Sequence, residues 1–354
     1  MAATSTRNAL PILGLLALSL MNATPAQSRV IVGNGSGSVM TFADGANGNA
    51  TPVKTISPGA SNPIQSATAI EFDNNELFVS DFSGQAIRVY DVNANGSVAP
   101  LRTMTSSWLG QPRVVRIDRK RDEMVVIAGM IRICSWPRLS NGDLYPTRCV
   151  PWGQTMGSTS QLNNPAGLAL NRVREEMVVG DYAPAQPFAN RILIFDRMAD
   201  VFNPTPLRII EGANTRLGQG TNVYTVVDEA SQLIFAACGE SNPDGTISAR
   251  ILMFPADAGG NVSPLHVIEG AGAGLRLPVG HYVGGLGFDE DNQMLLLTIQ
   301  SNDSSGQGRV LAFGKWSSAD VPPVYTLTGA QTGLGDYPGT VGATTVKIFR
   351  DGLE

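Results

Sequence analysis

Apolar positions recur along this chain in short runs of β-branched and aromatic residues, interrupted every few positions by Asp, Asn and Gly. The runs follow two alternating texts. The first is clearest as Thr68-Ala69-Ile70-Glu71-Phe72-Asp73, a polar turn, then Glu76-Leu77-Phe78-Val79-Ser80-Asp81, with further copies within 114–127, 167–181, 224–235 and 285–297. Turns such as Asn74-Asn75 and Glu229-Ala230-Ser231 make each copy an antiparallel hairpin. The second text has a branched aliphatic residue, an aromatic one three later, a polar turn, a proline and a last aliphatic residue. It runs Val39/Phe42/Pro52/Ile56, Ile87/Tyr90/Pro100/Met104, Ile133/Trp136/Pro146/Val150, Ile192/Phe195/Pro206/Ile210, Ile251/Phe254/Pro264/Ile268 and Val310/Phe313/Pro323/Leu327. The fourth copy carries one extra residue in its turn. No stretch beyond the N-terminal segment has helical period long enough to form a substantial helix.

A repeat of this kind decides the architecture before any local reading does. One hairpin of the first text (strands A and B) followed by one of the second (C and D) makes a four-stranded antiparallel unit. Six such units predict an all-β fold, a six-bladed β-propeller in which neighbours stack to bury a core. The first unit starts with a B-like strand, Arg29–Val32, and has no A strand before it. Thr344-Thr345-Val346-Lys347-Ile348-Phe349 stands unpaired at the far end, so the C-terminal strand is expected to complete the first blade and close the ring. Residues 29–354 then form one domain, although length alone suggests two or three.

The first 28 residues read differently. Arg7, the apolar run Leu10–Met21 and small residues around Ala26 and Ser28 predict a cleaved signal peptide, hence a secreted or periplasmic protein. That run is too short to span a bilayer, which takes about 20 residues. Net charge is −5 and no basic cluster offers a nucleic-acid footprint. The densest run, Arg119-Lys120-Arg121, is flanked by Asp118 and Asp122 as a hairpin tip. In an oxidising compartment Cys134 and Cys149, on two strands joined by one turn, are expected to form a disulfide; two buried thiols are the alternative. Cys238, in the apolar run from Leu233, is expected to be buried and free. No Cys/His cluster has zinc spacing, and His266 and His281 are the only histidines.

The text Gly167-Leu168-Ala169-Leu170-Asn171 with Met177-Val178-Val179-Gly180-Asp181, followed by Asn190–Asp196, resembles the NHL-repeat type of propeller. It is similar also to the wider six-bladed group of gluconolactonase-like and strictosidine-synthase-like proteins. The resemblance covers nearly all of 29–354 and implies the fold; function must come from a site.

Strand order sends the A–B and C–D turns to a bottom face and the longer, individual B–C and D–A loops to a top face, where binding is expected. The first residues of the inner strands are expected to rim the tunnel there: Gln65, Arg113, Asn164, Asn222 and His281, with Trp108, Asp181, Tyr182, Glu240 and Tyr282 outside them. Hydrolases of the wider group imply a tunnel-floor cation on carboxylate and amide oxygens. Asn164 and Asn222 could supply amides, but Gln65, Arg113 and His281 stand where carboxylates are needed. Asp81 and Asp181 are expected as blade-to-blade caps, and Glu71 with Arg116 as an ion pair across adjacent inner strands. There is no nucleophile elbow and no phosphate-binding glycine turn.

The leading expectation is a monomeric, exported propeller binding a ligand or a protein through its top face. Arg113, Asn164, Asn222, His281 and Tyr282 would hold a small polar or anionic ligand, with no cofactor and no metal. The alternative is a calcium-dependent hydrolase or lactonase with Asn164 and Asn222 on Ca2+. A passive structural module of the cell envelope is a third reading.

Overall fold

The computed structural model describes residues 27–184, 190–302 and 307–346. Six antiparallel sheets stand around an axis, each of four strands in the expected A–B–C–D order. From the inside outwards, blade 2 is Ala67–Asp73, Glu76–Asp81, Ala86–Asp91 and Arg102–Thr105. Blade 3 is Val114–Asp118, Glu123–Ala128, Arg132–Pro137 and Arg148–Val150; blade 4 is Pro165–Asn171, Glu176–Tyr182, Asn190–Asp196 and Arg208–Ile210. Blade 5 is Tyr224–Asp228, Leu233–Ser241, Ile247–Pro255 and His266–Glu269; blade 6 is His281–Asp289, Met294–Ser301, Arg309–Gly314 and Tyr325–Thr328. Among the described residues no helix is long and apolar enough to cross a membrane. Most of the expected signal segment lies outside the described residues.

Blade 1 joins the two ends of the chain. Its inner strand is Pro338–Val346, antiparallel to Gln27–Asn34 with Ile31 opposite Gly342, followed outwards by Val39–Phe42 and Lys54–Ile56. The closing strand therefore begins six residues before the expected Thr344, and 347–349 lie outside the described residues. Gly339, near the start of this strand, is required by proximity. A Cβ on Gly339 would stand 2.6 Å from the Thr68 carbonyl oxygen of blade 2.

The apolar residues form six clusters, each shared by two successive blades. The repeated aromatic residue is the centrepiece: Phe42, Tyr90, Trp136, Phe195, Phe254 and Phe313 are all fully buried. Burial of each stabilises by roughly 1.5–3 kcal/mol, which is why that position repeats most strictly. Cys134 and Cys149 lie opposite one another on strands C and D of blade 3, Cα atoms 4.1 Å apart, and are bridged. Cys238 is free and buried, and burial pushes its thiol up to about 12.

The aspartates work differently from expectation. Asp81 accepts the Gln65, Ser66 and Gly84 amides and the Arg88 guanidinium (2.7 Å); Asp181 accepts the Asn163 and Asn164 amides and Arg191 (2.9 Å). Both pin the entry of their own blade's inner strand rather than linking two blades, because their side chains point back along the sheet that carries them. Blade-to-blade clamping falls to the aspartates that end strand A, on the bottom face. A cation two residues beyond the repeated aromatic reaches the previous blade's aspartate: Arg138 to Asp73 (2.9 Å), Arg197 to Asp118 (2.8 Å) and Lys315 to Asp228 (2.7 Å). Between blades 4 and 5 both partners are neutral, Asn171 and Ala256.

Burial opposes the charge on Asp228, but Lys315 and Ser231 outweigh it and hold the carboxyl below its ordinary value. A depressed folded pKa gives stabilisation that is complete above the unfolded value near 4 and is lost as pH falls through the folded one. Asp228→Asn is therefore expected to lower the melting temperature at pH 7, with the difference from wild type shrinking below about pH 4. A difference independent of pH would refute the clamp.

Candidate functional site

At the top of the tunnel the inner strands part around a chamber of about 470 Å3. Bulges open it: pairing slips by one residue between Ala67 and Ala69, Pro165 and Gly167, and Val283 and Gly285. The extra residues, Thr68, Ala166 and Gly284, stand at the same height as Arg113, five before the residue that ends each strand A. Three of these four side chains are small or absent, so the Arg113 guanidinium faces open space. Polar groups converge on that space from Thr68, Arg113, Asn222, Tyr224, Gln300 and Thr340.

Arg113 donates through Nη1 to Asn164 Oδ1 at 3.0 Å and, longer, to the Pro165 carbonyl at 3.4 Å. Burial pulls its pKa below the ordinary arginine value, and among the described residues no carboxylate pairs with it. The Tyr224 phenol beside it is lifted by burial, against the Asn222 hydrogen bond and the guanidinium, and stays a neutral donor. Asn222 Nδ2 donates to the Tyr224 oxygen at 3.3 Å. A desolvated cation, a phenol and amides around one cavity favour an anion.

Arg113 and Asn222 line the chamber, and Asn164 orients Arg113 from the side. His281 and Tyr282 do not line it. The inner strand of blade 6 starts early, so His281 lies eight residues before Asp289, pairs with Ser301, and has Nδ1 3.4 Å from the Val279 carbonyl. Gly284 and Gln300 occupy its expected place. Gln65 is held by its backbone to Asp81, Glu240 pairs with Arg250 (3.0 Å), and Trp108 lies under the Arg132 guanidinium. Tyr224, Thr68, Gln300 and Thr340 were not legible as site residues, because each sits inside β-strand text without a motif.

For a cation the geometry is poor. The Asn164 amide oxygen already faces a guanidinium, and both Asp181 oxygens are engaged. Among the described residues no three His, Cys, Asp or Glu side chains gather as a metal site. At the bottom mouth a second cavity, of about 350 Å3, is ringed by ion pairs: Arg116 with Glu71 at 3.2 Å, as expected, and Arg172 with Glu229 at 3.1 Å. Asp289, Glu290 and Asp291 line the same mouth, so its balance is acidic and offers nothing to an anion.

No family model and no curated protein matches the chain. Among solved structures 781 chains are similar, a breadth that specifies architecture rather than activity. One belongs to a crystal structure of a nidogen/laminin complex: it is 14% identical, the match covers 89% of this chain and 98% of that one, and the TM-score is 0.57. At that identity the likeness shows the propeller fold alone.

Proposed function

We propose that this chain is an exported, monomeric propeller whose upper chamber binds a small carboxylate against Arg113, with no cofactor. The supporting observation is a buried guanidinium that faces a cavity and has no acidic partner among the described residues. Leaving such a charge unpaired is costly, and a ligand carboxylate would relieve the cost. Tyr224 and Asn222 are placed to donate to the same anion, while Thr68, Thr340 and Gln300 suit hydroxyl or amide groups beyond it. The resemblance of residues 1–28 to a signal peptide and the Cys134–Cys149 bridge support an oxidising, extracytoplasmic setting. The structural neighbour in the nidogen/laminin complex is in keeping with a binding role for a propeller of this shape.

The test is thermal melting and calorimetry against a series of mono-, di- and tricarboxylates. At least one class is expected to raise the melting temperature. Arg113→Gln is expected to weaken it ten- to hundredfold, the worth of a charge-assisted hydrogen bond of about 1.5–3 kcal/mol. Calcium titration is the counter-test: a micromolar isotherm abolished by Asn164→Ala or Asn222→Ala would sink this reading and move the hydrolase alternative to first place.

A further inference from the structure

The outer edges of the blades are sealed by a repeated device. Each C–D turn lays one residue, held at positive φ, against strand D of the preceding blade as a parallel β-bridge. Gly96 bridges Ile56, Gly142 bridges Met104, Gly260 bridges Ile210, Ala319 bridges Ile268 and Gly48 bridges Leu327. The hydrogen bonds repeat as well. The bridging amide donates to a strand-D carbonyl, as Gly96 does to Thr55 at 2.7 Å and Gly260 to Ile209 at 2.6 Å. Two residues further along strand D, an amide donates back: Ser57 to Gly96 at 3.1 Å, Glu211 to Gly260 at 3.2 Å.

Blade 3 is the exception among the described residues: no bridge reaches its strand D, Arg148–Val150. The sequence removes both halves of the device. The amide that should donate back belongs to Pro151, which has none. The turn of blade 4 that should supply the bridging residue carries the inserted position and reads Asp200-Val201-Phe202; neither Val201 nor Phe202 adopts positive φ, which a β-branched residue resists. Asp200 instead folds the turn upon itself, accepting the Phe202 and Asn203 amides at 2.8 and 3.1 Å. Cys149 faces Cys134 across a close pair, so its amide and carbonyl point away from strand C, towards the unsealed edge.

Beside that edge lies a groove of about 220 Å3 between the blade 3 strand and the blade 4 turn. Trp108, Tyr145 and Phe202 line it, and Tyr145 and Phe202 are 78% and 92% exposed. Of its two charged side chains, Arg148 is paired with Glu123 at 2.5 Å, while Asp200 has no ionic partner among the described residues. The backbone wants a strand, the walls want an aromatic or large aliphatic side chain, and Asp200 wants a cation.

We propose that the open edge of blade 3 is a docking site for an extended peptide that carries a basic residue next to a large apolar one. The peptide adds a strand beside Arg148–Val150, takes the hydrogen bonds that the neighbouring turn makes elsewhere, and seats its apolar side chain between Trp108 and Phe202. The site is on the outer rim and is independent of the central chamber.

The experiment titrates the full chain into a fluorescein-labelled, N-acetylated peptide of sequence Thr-Lys-Phe-Thr-Val-Thr, followed by anisotropy. Saturable binding is expected, weakened at least tenfold when alternate peptide nitrogens are methylated, since this removes strand pairing and leaves the side chains. Phe202→Ser, on a side chain outside the core, is expected to weaken it at least tenfold. So is a sealed-edge variant combining Pro151→Thr and Val201→Gly with deletion of Phe202. Circular dichroism melts confirm that both variants are folded, and amide exchange at Cys149 should slow when the peptide is bound. No saturable binding, or equal binding of the methylated peptide, overturns the proposal. So does a dimer in sedimentation that Phe202→Ser dissolves, because the occupant is then a second copy of the chain.

Discussion

A chain ending at Tyr337 loses the cooperative thermal transition of the intact protein. The deletion removes the whole inner strand of blade 1, and with it every hydrogen bond to Gln27–Asn34 from Pro338 onwards. It also opens two blade interfaces together. On one side Val341 leaves the cluster of blades 6 and 1, and Gly287, whose position would put a Cβ 2.2 Å from the Val341 carbonyl, loses its abutting backbone. On the other side Ile70 loses the Thr340 hydroxyl that its amide meets at 3.3 Å. The loss is comparable with the whole net stability of a domain, about 5–15 kcal/mol, and the bared strand invites aggregation. Calorimetry of the truncated chain, with and without a synthetic peptide spanning 338–354, reads it out. A cooperative melt within a few degrees of wild type, without added peptide, would falsify closure by this strand.

Arg197→Ala is expected to destabilise the protein by about 3–5 kcal/mol, the cost of breaking a buried ion pair; Asp118 then keeps only the longer contact to Arg121, at 3.4 Å. The Asp118 side chain is wholly buried, and that of Arg197 is only 2% exposed. Arg197 also reaches Glu123 at 3.0 Å, so one guanidinium serves two carboxylates of the neighbouring blade. Burial holds its pKa below the ordinary value despite both acids, a sign of how thoroughly water is excluded. Pairing Arg197→Met with Asp118→Leu removes both charges and should recover most of the loss. Denaturant unfolding of the two variants checks this; equal destabilisation by the single and double replacements would mean that lost packing, not the under-compensated charge of Asp118, is responsible.

The blades were legible because their apolar periodicity is dictated by burial: a residue such as Phe195 or Phe254 must repeat wherever an interface repeats. The disulfide was legible for a related reason, since a hairpin of known register places Cys134 opposite Cys149. The upper chamber was legible only in part. Arg113 and Asn222 stand out as polar residues at strand starts, but the bulges at Ala166 and Gly284 shift the register by one residue and leave no mark in composition. Counting from the loop therefore put His281 on the rim; counting back from Asp289 takes it off. The aspartate roles were exchanged because Asp81 and Asp118 look alike in sequence, and only the cations two beyond Trp136, Phe195 and Phe313 tell them apart. The inserted residue near Phe202 was visible as an irregularity of the repeat, yet its meaning depends on Pro151, some fifty positions away in sequence and adjacent only in the ring.

Three thiols permit three pairings, and the one adopted needs the least of the protein to be folded. Cys134 and Cys149 are separated by 15 residues along a single hairpin, so they can meet on the microsecond scale of hairpin formation, long before distant strands assemble. Cys238 belongs to the core shared by blades 4 and 5, and with its thiol lifted to about 12 it carries almost no thiolate at neutral pH. Thiolate is the species that attacks a disulfide, so once blade 5 has packed, the odd cysteine is removed from exchange. Oxidation of the three thiols thus has a built-in order, with the native bridge formed locally and its competitor silenced by burial.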